Sequence, residues 1–133
     1  MVKELTTEEF KKKIFDYTQL SEDNQEFKYT GNKPCIIDFY AEWCQPCKIL
    51  TPILEELSEE YENIDIWKVN TENEMELSQI FGIKSIPTML LIPTEGQPQM
   101  TSGALPKDAI IGAIDEVLLN KTDDETDDEI DKE

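Results

Sequence analysis

Apolar residues recur along the chain in two rhythms, and the order in which the rhythms alternate sets out a fold. After a short alternation over residues 2–5, Phe10, Ile14 and Tyr17 repeat at the three-to-four-residue spacing of one helical face. That helix opens on Thr6-Thr7-Glu8-Glu9, which places Thr6 as N-cap and Glu9 as its partner in a capping box. Residues 19–33 are polar and read as a surface loop with room for a short helix near 21–27. Ile36-Ile37-Asp38-Phe39-Tyr40 reads as a buried strand of β-branched and aromatic residues with one acid inside it. From Cys44 the period turns helical. Leu50, Ile53, Leu54, Leu57 and Tyr61 share one face, and Glu56, Glu59, Glu60 and Glu62 form a solvated one.

The second half repeats the alternation. Residues 64–69 read as a core strand with Ile64, Ile66 and Lys68 on one face, and 70–74 as a loop. Residues 75–81 form a short helix with Leu77, Ile80 and Phe81 inward and Gly82 as its stop. Pro87 stands at the head of a strand over Thr88–Ile92, where its missing N–H is tolerated. Thr94-Glu95-Gly96 reads as a hairpin turn and 97–102 as the return strand. Pro106 opens a last helix whose apolar face is Ala109, Ile110, Ala113, Ile114, Val117 and Leu118. Strands alternating with helices in this way give an α/β protein.

Charge narrows the classes of function. The 133 residues suit one domain and carry a net charge of −18, with 30 acids against 12 lysines and neither arginine nor histidine. Residues 120–133 hold eight of the acids and two of the lysines. We therefore expect a domain over 1–119 and a disordered acidic tail over 120–133 that aids solubility or fends off partners. The remaining charge of −12 on the body repels phosphate backbones and anionic lipid, which argues against nucleic-acid and membrane partners and favours a monomer. Without histidine, Ser-His and Cys-His triads are excluded. No stretch approaches the ~20 apolar residues of a membrane span. Residues 1–20 hold no apolar signal-peptide core, so the expected location is cytoplasmic, or periplasmic if a leader has been removed.

The candidate chemistry is Cys44-Gln45-Pro46-Cys47, set where a strand ends and a helix begins. Free N–H groups and the helix dipole favour a thiolate at that end. A Cys-x-x-Cys also marks zinc sites, but four ligands are needed, and with no histidine only Cys35 remains. Haem attachment requires histidine after Cys47, where Lys48 stands. Cys35 reads as a small buried apolar residue, the alternative being a regulatory thiol or third metal ligand. Asp38 is either buried, with burial raising its proton affinity to suit an acid/base beside a thiol, or turned to an exposed face or edge.

The segment from Asp38 to Lys48, Asp-Phe-Tyr-Ala-Glu-Trp-Cys-Gln-Pro-Cys-Lys, resembles the active-site segment of the thioredoxin family. Pro52, Ile86-Pro87-Thr88 and Gly103 match further motifs of that family in the same order, so the resemblance runs over residues 2–119. It implies the thioredoxin fold, a central mixed five-stranded sheet with helices on both faces. It implies a protein disulfide reductase that works by dithiol–disulfide exchange without a bound cofactor or metal, and so serves cell redox homeostasis. In that scheme Cys44, at the exposed start of the helix, attacks as thiolate and Cys47, held inside, resolves, with Asp38 buried beneath Cys47 to take its proton through water. Lys68 aligns with a lysine near the buried acid, although an ordinary strand-end lysine is the plainer reading. Trp43, Pro46, Ile86, a cis Pro87 and Gly103 would form the substrate surface, with core packing the plainer role for Trp43. The implied partners are disulfide-containing proteins and a thioredoxin reductase or other thiol donor. Gln45 replaces the family's common glycine, Tyr40 a frequent tryptophan and Ser85 a glycine. The absence of histidine between the cysteines points to a reductant rather than an oxidase or isomerase. The rival from another class is a non-catalytic partner-binding module, which would need neither the cysteines nor Asp38.

Overall fold

Three parallel strands and an antiparallel hairpin share one sheet, and the apolar alternation described above decides which helices cover each face. The computed structural model describes residues 1–120. The chain runs β1 (Lys3–Glu4), α1 (Thr7–Lys13), a single 3-10 turn (Tyr17–Gln19), β2 (Cys35–Tyr40) and α2 (Gln45–Glu60). It continues through β3 (Asp65–Asn70), α3 (Met75–Ile80), β4 (Thr88–Ile92), β5 (Gln99–Ser102) and α4 (Lys107–Ala113), which runs on into a π-helical turn (Ile114–Leu118). The sheet order is β1-β3-β2-β4-β5. β1 and β2 flank β3 in parallel, and β4 pairs antiparallel with both β2 and β5.

Side chains alternate across each strand. Ile36 of β2, Ile66 of β3 and Met89 and Leu91 of β4 meet Leu50, Leu54 and Leu57 of α2, Ile110 of α4 and Ile114 of the turn that follows it. Cys35, Ile37 and Phe39 of β2, Val69 of β3 and Leu90 and Ile92 of β4 meet Phe10 of α1, Ile14 just past it and Leu77 of α3. Each core is thus half sheet and half helix, and β2 is buried on both sides. The acidic tail expected of the sequence lies, from Lys121 on, outside the described residues. Among the described residues no helix is long and apolar enough to cross a membrane.

Thr6 caps α1 as its sequence predicts: its side-chain oxygen accepts from the Glu9 N–H at 3.1 Å, and Glu9 Oε1 accepts from the Thr6 N–H at 3.0 Å. Thr6→Ala removes one of these bonds and should lower stability by about 1 kcal/mol in denaturant titration. An unchanged midpoint would mean that the first helix is held by Phe10 alone.

Four expectations need correction. Residues 21–27 form no helix; the local helical turn comes earlier, at Tyr17–Gln19, where the Asp16 side chain accepts from the Thr18 N–H at 3.0 Å. The return strand begins at Gln99 rather than at 97, because Pro98 offers no N–H to the ladder. Ile80 is 51 % exposed: α3 is too short to bury it together with Leu77. Ala109, in the first turn of α4, faces solvent while Ile110, Ile114 and Leu118 carry the contact.

Candidate active site

Two elements meet at the C-terminal end of β2, and their junction places both cysteines. The strand ends at Tyr40, and the Ala41-Glu42-Trp43 turn delivers Cys44 as the N-cap of α2. Its backbone is still extended, with φ −86° and ψ 111°, and its sulfur receives the Cys47 N–H at 3.3 Å. Pro46 sits in the first turn, where a helix has N–H groups without partners and loses nothing by lacking one. Cys44 and Cys47 form a disulfide with a Cα–Cα separation of 5.3 Å, within the ordinary range.

Both sulfur-bearing residues are covered. Cys47 is 1 % exposed, and Cys44, expected at an exposed helix start, is only 4 % exposed. The cause is the facing loop: Ile86 packs on the pair together with Ala41 and Tyr40, and its carbonyl oxygen lies 3.8 Å from Cys44 Sγ. The Ile86–Pro87 peptide bond is cis. The Pro87 carbonyl accepts from the Gly103 N–H at 2.8 Å, which ties the head of β4 to the end of β5. Gly103 has φ +97°, a backbone that side-chain-bearing residues rarely adopt, so glycine is set here by conformation, and the space around it is open.

The surface beside the pair is mixed, with apolar side chains set among polar ones. Trp43 is 66 % exposed, which overturns the core-packing alternative, and its Nε1–H donates to Glu72 Oε2 at 2.9 Å. Pro46 is exposed beside it. A cleft of about 220 Å³ lies next to them, lined by Trp43, Thr71, Ser78, Ile83, Lys84, Ser85 and Ile86.

Asp38 is buried, at 2 % exposure, and the exposed-edge alternative falls. It follows Ile36 by two residues, so it points to the face that α2 covers. Its register partners are Met89 on β4 and Lys68 on β3, and its Oδ1 has no hydrogen-bond partner among the described residues. Burial pushes its carboxyl up to about 7, against the opposing pull of Lys68. Lys68 is thus in register with the acid, and its Nζ lies 4.0 Å from Glu4 Oε1 and 5.7 Å from the centre of the Tyr40 ring. The Tyr40 hydroxyl donates to the same Glu4 oxygen.

Cys35 is fully buried on the opposite face of β2 from α2, among Ile37 and Phe39. The sheet therefore separates it from the pair, and it cannot complete a ligand set with Cys44 and Cys47. Burial drives its thiol up to about 12, with the Asp65 charge adding to this and the Tyr29 hydroxyl opposing it.

Glu4, Tyr40 and Glu72 had no functional role in the sequence reading. Spacing along the chain could not reveal the first contact, because Glu4 and Lys68 are joined only by the parallel pairing of β1 with β3.

A mixed sheet with a redox pair capping the helix that leaves its central strand defines a dithiol–disulfide exchange protein. The Thioredoxin family model matches residues 1–116, and the chain belongs to the thioredoxin family. It is 47 % identical over 111 residues to a thioredoxin of Borreliella burgdorferi, which covers 83 % of this chain and 92 % of that protein. It is 40 % identical over 87 residues to a thioredoxin of Chlorobaculum thiosulfatiphilum, covering 65 % of this chain and 81 % of the relative. Among solved structures, a thioredoxin of Malassezia sympodialis superposes with a TM-score of 0.68 at 25 % identity over 87 % of this chain and 90 % of that one. A chloroplastic thioredoxin z shares the fold with a TM-score of 0.70 at 24 % identity, covering 86 % and 92 %. The protein is a thiol–disulfide oxidoreductase with the protein-disulfide reductase activity of this family. Thioredoxins act on disulfide substrates and are themselves reduced by thiol donors such as thioredoxin reductase.

Proposed function

We propose that Cys44 is the attacking thiolate and Cys47 the resolving thiol of a cytoplasmic, monomeric reductant of protein disulfides. The observation that carries this reading is the position of Cys44 as N-cap of α2, its sulfur already receiving a backbone N–H of the first turn. That N–H and the helix dipole favour negative charge on Cys44 and not on Cys47, which lies inside the turn. Attack on a substrate disulfide forms a mixed disulfide and releases one substrate thiolate. Cys47 then loses its proton to Asp38, attacks Cys44 and releases the second, leaving the protein oxidised and the substrate reduced by two electrons.

Trp43, Pro46, Ile86, Pro87 and Gly103 would form the groove in which the substrate chain lies, its backbone free to meet the Ile86 carbonyl beside Cys44. Lys68 would temper the proton affinity of Asp38. The working unit is residues 1–119, with the family match over 1–116 in support. The electron donor would be a thioredoxin reductase, and the charge of −18 disfavours self-association.

Titration of the pair against glutathione or dithiothreitol tests the direction of electron flow. We expect a midpoint near the value of about −270 mV characteristic of thioredoxin, despite Gln45. A midpoint near about −120 mV, the range of a dedicated oxidant, would overturn the assignment as a reductant.

A further inference from the structure

Glu4, Lys68 and Asp38 stand in a row across three adjacent strands. β1 and β3 place Glu4 opposite Lys68, and β3 and β2 place Lys68 opposite Asp38. In a parallel pair, residues in register turn their side chains to the same face, so one ammonium stands between two carboxylates. The two acids compete for it unequally. Glu4 holds it at 4.0 Å, and the Tyr40 hydroxyl, two residues along from Asp38 on the same strand, fixes the Glu4 oxygen that does so. The ammonium also lies over the Tyr40 ring. Among the described residues no group hydrogen-bonds the buried Asp38 Oδ1.

We propose that Glu4, anchored by Tyr40, is a positioning residue that draws the Lys68 ammonium away from Asp38 and so sets the proton affinity of the buried acid. The catalytic meaning of this rests on the reading of Asp38 as acceptor of the Cys47 proton. Asp38 has Lys68 in register on β3 and the uncharged Met89 on β4, with Tyr40 two residues along its own strand and Glu4 beyond Lys68 on β1, while α2 brings Cys44 and Cys47, bonded to each other, to this side. Lys68 is thus the charge that can stabilise the carboxylate, and Glu4 is the group that decides how much of it Asp38 feels. Such a pair would do little for stability at a half-exposed site. Its leverage lies in the buried neighbour, because a cation brought within 4–6 Å favours the carboxylate by about 1–3 pH units. The direction agrees with a carboxyl that burial keeps high although a lysine stands in register with it.

The test is a carbon-13 NMR titration of the Asp38 carboxyl in the oxidised protein, in which neither Cys44 nor Cys47 titrates. Glu4→Gln should free the ammonium and lower the Asp38 midpoint by about one pH unit. Tyr40→Phe should lower it by less. Lys68→Met should raise it, and adding Glu4→Gln to Lys68→Met should then shift nothing further. An unmoved midpoint in Glu4→Gln, or an equal shift in the Lys68→Met background, would overturn the proposal. Both variants replace partly exposed groups with uncharged side chains of similar length, and Tyr40→Phe gives an independent reading at the other end of the contact. The same variants are then assayed for resolution of a mixed disulfide across pH. If the NMR midpoint falls but the acid limb of the rate profile does not follow, the positioning role stands and the acid/base role of Asp38 fails.

Discussion

Cys44→Ser should abolish turnover of a protein disulfide, and Cys47→Ser should hold the substrate on the protein as a stable mixed disulfide. The reaction needs two thiols to supply two electrons, so either substitution ends catalysis, but the two end it at different points. Without Cys44 no covalent adduct forms, because the helix terminus that favours its thiolate does not extend the same help to Cys47. Without Cys47 the first exchange still occurs, and its product persists because no thiol is placed to attack it. Mass spectrometry of each variant after incubation with a disulfide-bonded substrate reads the difference directly. An adduct on Cys44→Ser, with none on Cys47→Ser, would exchange the two roles. The burial of Cys44 at 4 % makes this worth measuring, since exposure does not separate the two residues and the assignment depends on helix position.

Asp38→Asn should make the oxidised protein more stable above neutral pH and slow exchange at neutral pH. The sign follows from the raised carboxyl. Unfolded, the group titrates near 3.8; folded, burial holds it at about 7, so between these values the native state binds more protons than the unfolded one. Stability therefore falls as pH rises through that window, and the loss is complete above it. By pH 8 the difference of about three units corresponds to about 4 kcal/mol, which the asparagine removes, less the cost of burying an amide with poor partners. Denaturant titrations at pH 5 and pH 8 should show wild type losing stability between them and the variant holding level. A variant with the wild-type slope would place the titration elsewhere. A rate unchanged at pH 7 would restrict Asp38 to a structural part.

Much of this architecture is legible along the chain because each element carries its own period. The capping box at Thr6, the strand at β4 and the helix from Cys44 are local, and periodicity and capping chemistry are local signals. The site is less legible. Asp38 sits in an apolar run either way, and only the covering of both faces of β2 makes it a buried acid. The cover over Cys44 comes from Ile86, forty-two residues on, and the hold on Lys68 comes from Glu4, sixty-four residues back. Such contacts follow from the strand order, which places β3 between β1 and β2, and no spacing along one element records it. Ile80 and Ala109 miss for the opposite reason: helical period assigns a face, but short helices do not bury every residue on it.

Three cysteines can pair in three ways, and this chain reaches a single one. The sheet acts as a partition: with Cys35 packed against the far layer of helices, no sulfur on the working side can meet it without unfolding β2. Each turnover can then open and close one bond indefinitely without a scrambled isomer to repair, and a chain left between reductions waits in the one oxidised form from which its donor can retrieve it.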